Sequence, residues 1–122
     1  MTPFIKIKGG TLAAIKLKGI NRALLNKASD GIHQAGLFVQ GEVKLSVAGE
    51  KAEPMSVDTG RFLGSIETDN SKKLTSRVFS KVNYARYLEY GTSKIAPRKH
   101  FRNSLNRNKR KIAMFVEQKM KA

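Results

Sequence analysis

Residues 24–48, LLNKASDGIHQAGLFVQGEVKLSVA, decide the fold of this chain. Apolar side chains recur there in steps of four and three, at Leu24, Ala28, Ile32, Ala35, Val39 and Val43. Because an α-helix turns by about 100° per residue, these positions share one face. The spacing predicts a long helix that ends near Ala48–Gly49. Leu37 lies well off the buried face, which indicates either a second buried contact, such as another subunit, or simple exposure.

The N-terminal segment contains a short internal repeat. Ile5–Gly9 is IKIKG and Ile15–Gly19 is IKLKG, and each alternates apolar and cationic residues. Alternation with a period of two predicts half-buried strands, and Gly9–Gly10 supplies the positive φ that a tight turn requires. Residues 1–19 are therefore predicted to form a β-hairpin arm. The alternative is a single strand preceded or followed by a flexible leader.

A strand region is predicted after the long helix. Asp58–Thr59 carries short side-chain oxygens that accept amide protons at a helix start, so it is predicted to cap a short helix or turn that leads into strand. The turn signal Asp69–Ser71 follows. Beyond it, residues of one parity predict a strand face that is only partly apolar, formed by Leu74, Ser76, Val78, Ser80 and Val82.

The last third of the chain contains two further helical segments. Tyr84–Tyr90 has aromatic and apolar residues at helical offsets and is followed by Gly91, a predicted left-handed cap. Pro97 is predicted to open a basic C-terminal helix within residues 94–122, with an apolar stripe at Phe101, Leu105, Ile112, Phe115 and Val116. The order of elements predicts a single α+β domain over residues 1–122: a small antiparallel sheet packed with a long central helix and a C-terminal helix.

Charge narrows the range of partners. The chain has 122 residues, 24 Lys or Arg and 9 Asp or Glu, so its net charge is +15, which favours nucleic acid, an anionic membrane surface or an acidic protein. Residues 94–122 hold ten of the cations and one carboxylate, Glu117. Such density suits contact with phosphates without reading of bases, although it also fits a merely solvated face. The cations expected to meet DNA or a partner are Lys99, Arg102, Arg107, Lys109, Arg110 and Lys111.

Catalytic and metal-binding patterns are missing from the sequence. The chain has no cysteine, and its two histidines, His33 and His100, do not have the spacing of metal ligands. Asp58 and Glu89 are the only carboxylates that could be considered as an acid and base pair, and structural roles suit both better. We therefore expect no enzyme, no cofactor and no metal. The longest uncharged apolar stretch, Gly31–Gly41, is too short to cross a membrane, so a soluble, unprocessed chain is expected.

Two strings resemble a known family. Residues 57–66 are VDTGRFLGSI and residues 83–92 are NYARYLEYGT, followed by Ala96–Pro97 and Phe101. In this order, over roughly residues 15–120, they resemble the HK-ninety-seven gene-product-ten family of tailed-phage morphogenesis proteins. The chain departs from the family pattern in lacking a proline directly before the first string and both prolines around Phe101.

The resemblance implies a non-enzymatic virion protein: a tail-completion or head–tail joining component of the phage neck or connector, through which DNA passes. It implies a homo-oligomeric ring, hexameric by family analogy, at the head–tail junction or tail end, after assembly in the host cytoplasm. The expected neighbours are a head-closure (stopper) protein and the tail terminator or tail tube, with non-specific contact to double-stranded DNA and no membrane.

The resemblance also assigns structural roles within the two strings. Gly60 and Gly91 would supply turn geometry, and Asp58, Arg61 and Glu89 would form ion pairs within or between subunits, unless these charges are simply solvated. The full set of motif residues is Asp58, Thr59, Gly60, Arg61, Tyr84, Tyr87, Glu89, Gly91, Thr92, Pro97 and Phe101. The rival function is a small basic DNA-binding protein that acts through the C-terminal helix alone.

Overall fold

The computed structural model of the chain describes residues 3–8, 22–53 and 60–121. Its elements are β1 (Phe4–Lys8), α1 (Arg22–Val47), α2 (Arg61–Ser65), β2 (Ile66–Asp69), β3 (Thr75–Ser80), α3 (Ala85–Tyr90), α4 (His100–Arg107) and α5 (Lys109–Lys121). A three-stranded antiparallel sheet packs against α1, and α5 packs against α1 as well. The predicted single α+β domain is confirmed.

The predicted long helix is confirmed as α1, which starts two residues before Leu24 and ends at Val47. Its buried face is the predicted one, with Ala35, Val39 and Val43 fully shielded from solvent. Burying a valine side chain completely is worth about 1.5–3 kcal/mol, so Val39 and Val43 each contribute substantially to the stability of the domain. Leu37 lies off the face and is 57% exposed.

Helix α1 lies between the sheet and α5, and a glycine permits each approach. A Cβ added at Gly36 would lie 1.7 Å from Oγ of Ser76 in β3, and one added at Gly31 would lie 2.7 Å from Cα of Val116 in α5. Five residues separate the two glycines, which is a rotation of about 140° around the helix. The outer face of the sheet and the surface of α5 are therefore on different sides of the molecule.

The sheet has the order β1-β3-β2, with Phe4 opposite Phe79 and Ile66 opposite Ser80. The predicted strand after the turn is confirmed as β3, and its inner face is only partly apolar because Ser76 and Ser80 are buried beside Val78. Small residues are needed on this face because α1 approaches it so closely.

The two inner serines of β3 do not lack hydrogen-bond partners. Ser76 Oγ donates to Asn70 Oδ1 at 2.6 Å, and the hydroxyls of Ser65 and Ser80 are also 2.6 Å apart. The turn predicted at Asp69–Ser71 is present, since the N–H of Ser71 donates to Asp69 Oδ1 at 2.9 Å. Each hydroxyl therefore enters the core with its polar atom satisfied, as a buried polar group requires.

Several predictions at the start of the chain and in the first loop have mixed outcomes. The first predicted strand is present as β1, which pairs with β3, whereas the predicted second strand at residues 15–19 lies outside the described residues. The strand into which the short helix was predicted to lead is present as β2, although the sequence did not indicate its bounds. Asp58 and Thr59 also lie outside the described residues. Helix α2 begins at Arg61, so Gly60 and not the predicted Asp58–Thr59 occupies the N-cap position, with a left-handed φ of 81°.

The C-terminal helix differs from the prediction in its start and its continuity. It begins at His100 rather than at Pro97, because the preceding residue Lys99 has a left-handed φ of 54°. It is also divided at Asn108, whose side-chain Nδ2 donates to the carbonyl of Ser104 at 2.8 Å. Asparagine bonds of this kind compete with the helical hydrogen-bond pattern, and two helices, α4 and α5, result.

Gly91 ends α3 as predicted, but its conformation is not that of a left-handed cap. Its φ of 79° is positive while its ψ of 174° is extended, a combination that side chains with a Cβ rarely adopt. A Cβ at this position would also lie 2.8 Å from the carbonyl oxygen of Ile95 and 2.9 Å from the ring of Pro97. The glycine is required both by backbone conformation and by space.

Candidate functional site

The two strings of the resemblance meet in space at the start of α4, and we call this region the motif junction, comprising Arg61, Phe62, Tyr84, Glu89, His100 and Phe101. The ring of Phe62 is 6.1 Å from that of Tyr84, edge to face, and 6.2 Å from the imidazole of His100. The guanidinium of Arg61 lies 5.9 Å from the centre of the Tyr84 ring. Such aromatic pairs add about 0.5–1.5 kcal/mol each beyond the burial of their surface.

Glu89 is the polar centre of the motif junction. It is only 3% exposed, and its Oε1 and Oε2 accept the backbone N–H groups of Phe101 and Arg102 at 2.9 and 3.0 Å. These are amides of the first turn of α4, which have no partner within the helix. The role expected for Glu89 as an ion-pair residue is thus replaced by that of a helix cap supplied from another element.

Burial raises the pKa of Glu89, while the two amide hydrogen bonds and the nearby Arg102 lower it in part. The carboxylate also lies at the N-terminus of α4, where the helix dipole favours a negative charge. Both interactions favour a carboxylate at this position at the end of α3.

The loop between α3 and α4 folds back on α3. The hydroxyl oxygen of Thr92 accepts the N–H groups of Lys94 and Ile95, both at 3.1 Å, and the N–H of Arg98 donates to the carbonyl of Leu88 at 2.7 Å. Pro97 packs against Gly91 in this loop. Tyr87 belongs to the same string but stands outside the junction, 42% exposed, with its ring against the guanidinium of Arg86.

A second polar cluster, which we call the Glu53 network, was not predicted from the sequence. Oε1 and Oε2 of the buried Glu53 each accept a guanidinium N–H of Arg107 at 3.1 Å. Oε2 also accepts from Asn103, and Oε1 accepts from the hydroxyl of Ser46. The only sequence signal was Ser46 itself, a polar residue that continues the apolar stripe of α1.

The Glu53 network contains a serine, a histidine and a glutamate, but in an order unlike that of a nucleophilic triad. The single hydroxyl proton of Ser46 goes to Glu53, so His100 donates its Nδ1–H to Ser46 Oγ at 2.7 Å. In a triad the histidine lies between the serine and the carboxylate and takes the serine proton. Ser46 and His100 are also fully buried, out of reach of a substrate. The arrangement joins α1 to α4 and has no nucleophile.

The titration of the network follows from its contacts. Burial alone would raise the pKa of Glu53, but hydrogen bonds from Arg107, Ser46 and Asn103 outweigh it and lower the pKa to about 2. Burial lowers the pKa of His100 to about 4, although the Glu53 charge acts in the other direction. At neutral pH the network therefore holds one negative carboxylate, one positive guanidinium and a neutral imidazole.

The structure separates the cations that were expected to meet DNA. Arg107 is committed to Glu53, and Lys99 is half-buried at the left-handed position before α4. Arg102, Lys109, Arg110 and Lys111 are exposed. Of the eight carboxylates in the described part of the chain, Glu42, Glu53 and Glu89 are buried, and the first two form ion pairs with Lys51 and Arg107.

An apolar groove of about 840 Å³ lies between α1 and α2. Leu37 and Leu45 of α1 stand at its edge, 57% and 43% exposed, and Leu63 of α2 lies opposite. Gly41 and Gly64 line it as well, and a Cβ at either would meet nothing within 4 Å. Exposed apolar surface of this kind is typical of sites of protein contact.

Residues 3–8, 22–53 and 60–121 contain no group of three or more His, Asp or Glu side chains that could hold a metal ion. Within the same ranges, no helix combines the length and the apolar character needed to cross a membrane. No family model, no curated protein and no solved structure matches the chain.

Proposed function

We propose that this chain is a structural subunit of a tailed-phage particle, a tail-completion or head–tail joining component of the neck that assembles as a homo-oligomeric ring. The observation that carries the proposal is the motif junction. Side chains from the two strings of the family resemblance, together with Phe101, pack against one another at the start of α4, although they are far apart in the sequence.

The residues of the motif junction have structural roles. Phe62 and Phe101 belong to the core, Glu89 caps α4, and Gly91 allows the turn that leads to the cap. Core packing, helix capping and turn formation are all structural roles. Such roles for the motif residues suit a structural subunit of an assembly.

Two surfaces support a role in assembly. The apolar groove beside Leu37 and Leu45 offers a contact for another protein chain. The cationic surface would recur on every subunit of a closed ring, so that a local excess of charge becomes a positive collar facing DNA or an acidic neighbour. A hexamer, with a head-closure protein or tail terminator and tail tube as neighbours, is the form that the family resemblance implies.

The experiment is deletion of the gene in a phage or prophage that encodes this chain, followed by electron microscopy of the lysate. Filled heads and free tails should accumulate without joining, and the wild-type gene supplied in trans should restore complete particles. Normal numbers of infectious tailed particles after deletion would refute the proposal. A Glu117→Ala gene, altered at an exposed residue of α5, should restore particles as well as the wild type.

A second function, DNA binding through the C-terminal cations, is favoured by a separate observation. Arg102, Lys109, Arg110 and Lys111 are exposed, and in the described part of the chain their charged groups form no ion pair within contact distance, although Arg102 lies near enough to Glu89 to lower its pKa. Fluorescence anisotropy with a mixed-sequence duplex tests it. Replacing residues 109–111 by glutamine should lower the slope of log K against log salt by up to about 3, since each phosphate contact contributes about 0.9. An unchanged slope would exclude this use of the helix.

A further inference from the structure

A ladder of cations and aromatic rings covers part of the outer face of the sheet, on the other side of the molecule from α5. The guanidinium of Arg77 lies 4.9 Å from the ring centre of Phe4 and 4.6 Å from that of Phe79. Lys6 lies over Phe4 and Lys81 over Phe79, each at 5.7 Å. We call these five residues the sheet ladder.

The strand register explains why the ladder forms. Phe4 is opposite Phe79 and Lys6 is opposite Arg77, so these four side chains share one face of β1 and β3. The intervening Ile5 points the other way, into the core, as alternation in a strand requires. The ladder is therefore a product of the same alternation that builds the core.

Arg77 is held in place without being neutralised. Its guanidinium has no hydrogen bond and no ion pair in the described part of the chain, and Asp69, its cross-strand neighbour in β2, acts on it only through longer-range attraction. Two rings restrict its side-chain rotamers, and its N–H groups remain available. A guanidinium fixed in this way has less entropy to lose when it binds an oxyanion, and it matches phosphate geometry in two-point contacts.

A shallow groove of about 620 Å³ runs beside the ladder and adds to its cationic character. Its lining contains Phe4, the three cations Lys6, Lys72 and Arg77, one carboxylate, Asp69, and the hydroxyl-bearing residues Ser71 and Thr75. Phe4 is 37% exposed at this edge. Among the described residues, the register places the carboxylates Glu67 and Asp69 of β2 on this face, and the three cations of the groove lining outnumber its one carboxylate.

We propose that the sheet ladder binds the phosphate backbone of double-stranded DNA, without reading its sequence. Charge complementarity selects this occupant. The chain carries +15, and duplex DNA presents one negative charge per about 1.7 Å of its axis, a density that aligned cations can match. Contacts from Lys and Arg side chains to phosphate oxygens fix the position of the duplex and carry no sequence information. The proposal is independent of the neck function, because it concerns the purified chain and not its incorporation into particles.

The test is fluorescence anisotropy of the purified chain with a mixed-sequence duplex over a range of salt concentrations. The variant Lys6→Gln/Arg77→Gln removes two charges of the ladder, and Arg22→Gln/Lys44→Gln removes two charges from α1 as the matched control. The ladder variant should lower the slope of log K against log salt by about 2, at about 0.9 per lost phosphate contact, whereas the control should lower it by less than about 0.5. Equal reductions in the two variants would overturn the proposal.

A third variant tests the role of the rings at constant charge. Phe4→Leu keeps the residue apolar but removes one of the two rings that hold Arg77, so duplex affinity should fall by about twofold to fivefold, the value of an exposed cation–aromatic contact. The proposal would be overturned if this variant and the ladder variant both bound DNA with wild-type affinity. If the ladder variant then failed to bind polyglutamate, the ladder would instead serve an acidic protein partner. Circular dichroism and thermal melting should show all variants folded.

Discussion

Glu89 accepts the backbone N–H of Phe101 with Oε1, and through this bond the end of α3 determines where α4 begins. The same carboxylate accepts the next amide, that of Arg102, with Oε2. A helix of eight residues preceded by a left-handed residue has little intrinsic stability, so a cap provided from outside is decisive for its position. The family-like string that contains Glu89 is thereby connected to the C-terminal half of the fold.

Glu89→Ala should lower the free energy of unfolding by about 2–4 kcal/mol, because it leaves two helix-start amides without a partner in a buried place. Glu89→Gln should cost less, since its amide oxygen still accepts one of the two N–H groups. Urea denaturation measures both. Glu117→Ala, an exposed carboxylate on α5, serves as the control and should change stability by less than about 0.5 kcal/mol. Equal stability of Glu89→Ala and wild type would contradict the capping role.

Arg107→Ala should cost about 2–3 kcal/mol, more than a surface ion pair, because it leaves the buried carboxylate of Glu53 with neutral partners only. Glu53→Gln should also destabilise. A double-mutant cycle between the two positions measures their coupling, which we expect to exceed about 1 kcal/mol. Arg107→Lys should recover only part of the loss, since an ammonium cannot donate to both carboxylate oxygens in the same geometry. Additive single effects would show that the contact contributes nothing.

Stability should decrease as the pH falls, with His100 responsible for the first part of the decrease. Burial lowers the pKa of His100 from 6.5 to about 4, so the unfolded chain takes up the proton first and stability is lost between these values. Glu53, with its pKa lowered from 4.5 to about 2, adds a further loss over that lower range. The carboxyl of Glu89, whose pKa burial raises, acts in the opposite sense.

His100→Asn isolates the histidine contribution, because asparagine retains a donor for Ser46 but does not titrate. Between pH 7 and pH 4, the wild type should lose about 2–3 kcal/mol more stability than the variant. Urea unfolding at several pH values gives the difference. Parallel pH profiles for the two proteins would show that His100 does not remain neutral in the folded state.

Gly36→Ala should cost about 3 kcal/mol, because the new methyl group would lie 1.7 Å from Oγ of Ser76 and 2.7 Å from its Cβ. Ser76→Gly in the same chain should recover part of this loss, since it removes both atoms. Ser76→Ala should recover much less, because it keeps the Cβ. Thermal unfolding of the two double variants distinguishes these outcomes. Equal stability of the two would show that α1 and β3 move apart instead.

The helices and strands that could be predicted are those in which the spacing of apolar residues within a single segment indicates the structure. Six apolar positions in regular steps are enough to predict α1, and the alternation around Val78 predicts β3. In contrast, β2 contains a single buried apolar residue, Ile66, and therefore shows no alternation. The division of the last helix at Asn108 depends on one side-chain hydrogen bond that the spacing of apolar residues does not reveal.

In the candidate sites too, features that depend on contacts between distant segments could not be predicted from the sequence. Gly91 could be predicted to end a helix because a glycine by itself indicates a positive φ. Its extended ψ could not be predicted, because Ile95 and Pro97 of the following loop pack against it only in the folded chain. Arg107 was grouped with the exposed cations since its partner, Glu53, is 54 residues away in the sequence. The sheet ladder combines two strands that the sequence separates by about seventy residues. Long-range pairing of this kind becomes visible only in the folded chain.

The central claim is that this chain forms a ring in the neck of a tailed phage, and a cryo-electron microscopy reconstruction of intact particles at side-chain resolution tests it most directly. The account predicts a closed ring of this chain at the head–tail joint or tail end, with the motif junction folded as described and cationic surface directed toward DNA or an acidic neighbour. A complete neck that contains no copy of the chain would contradict it.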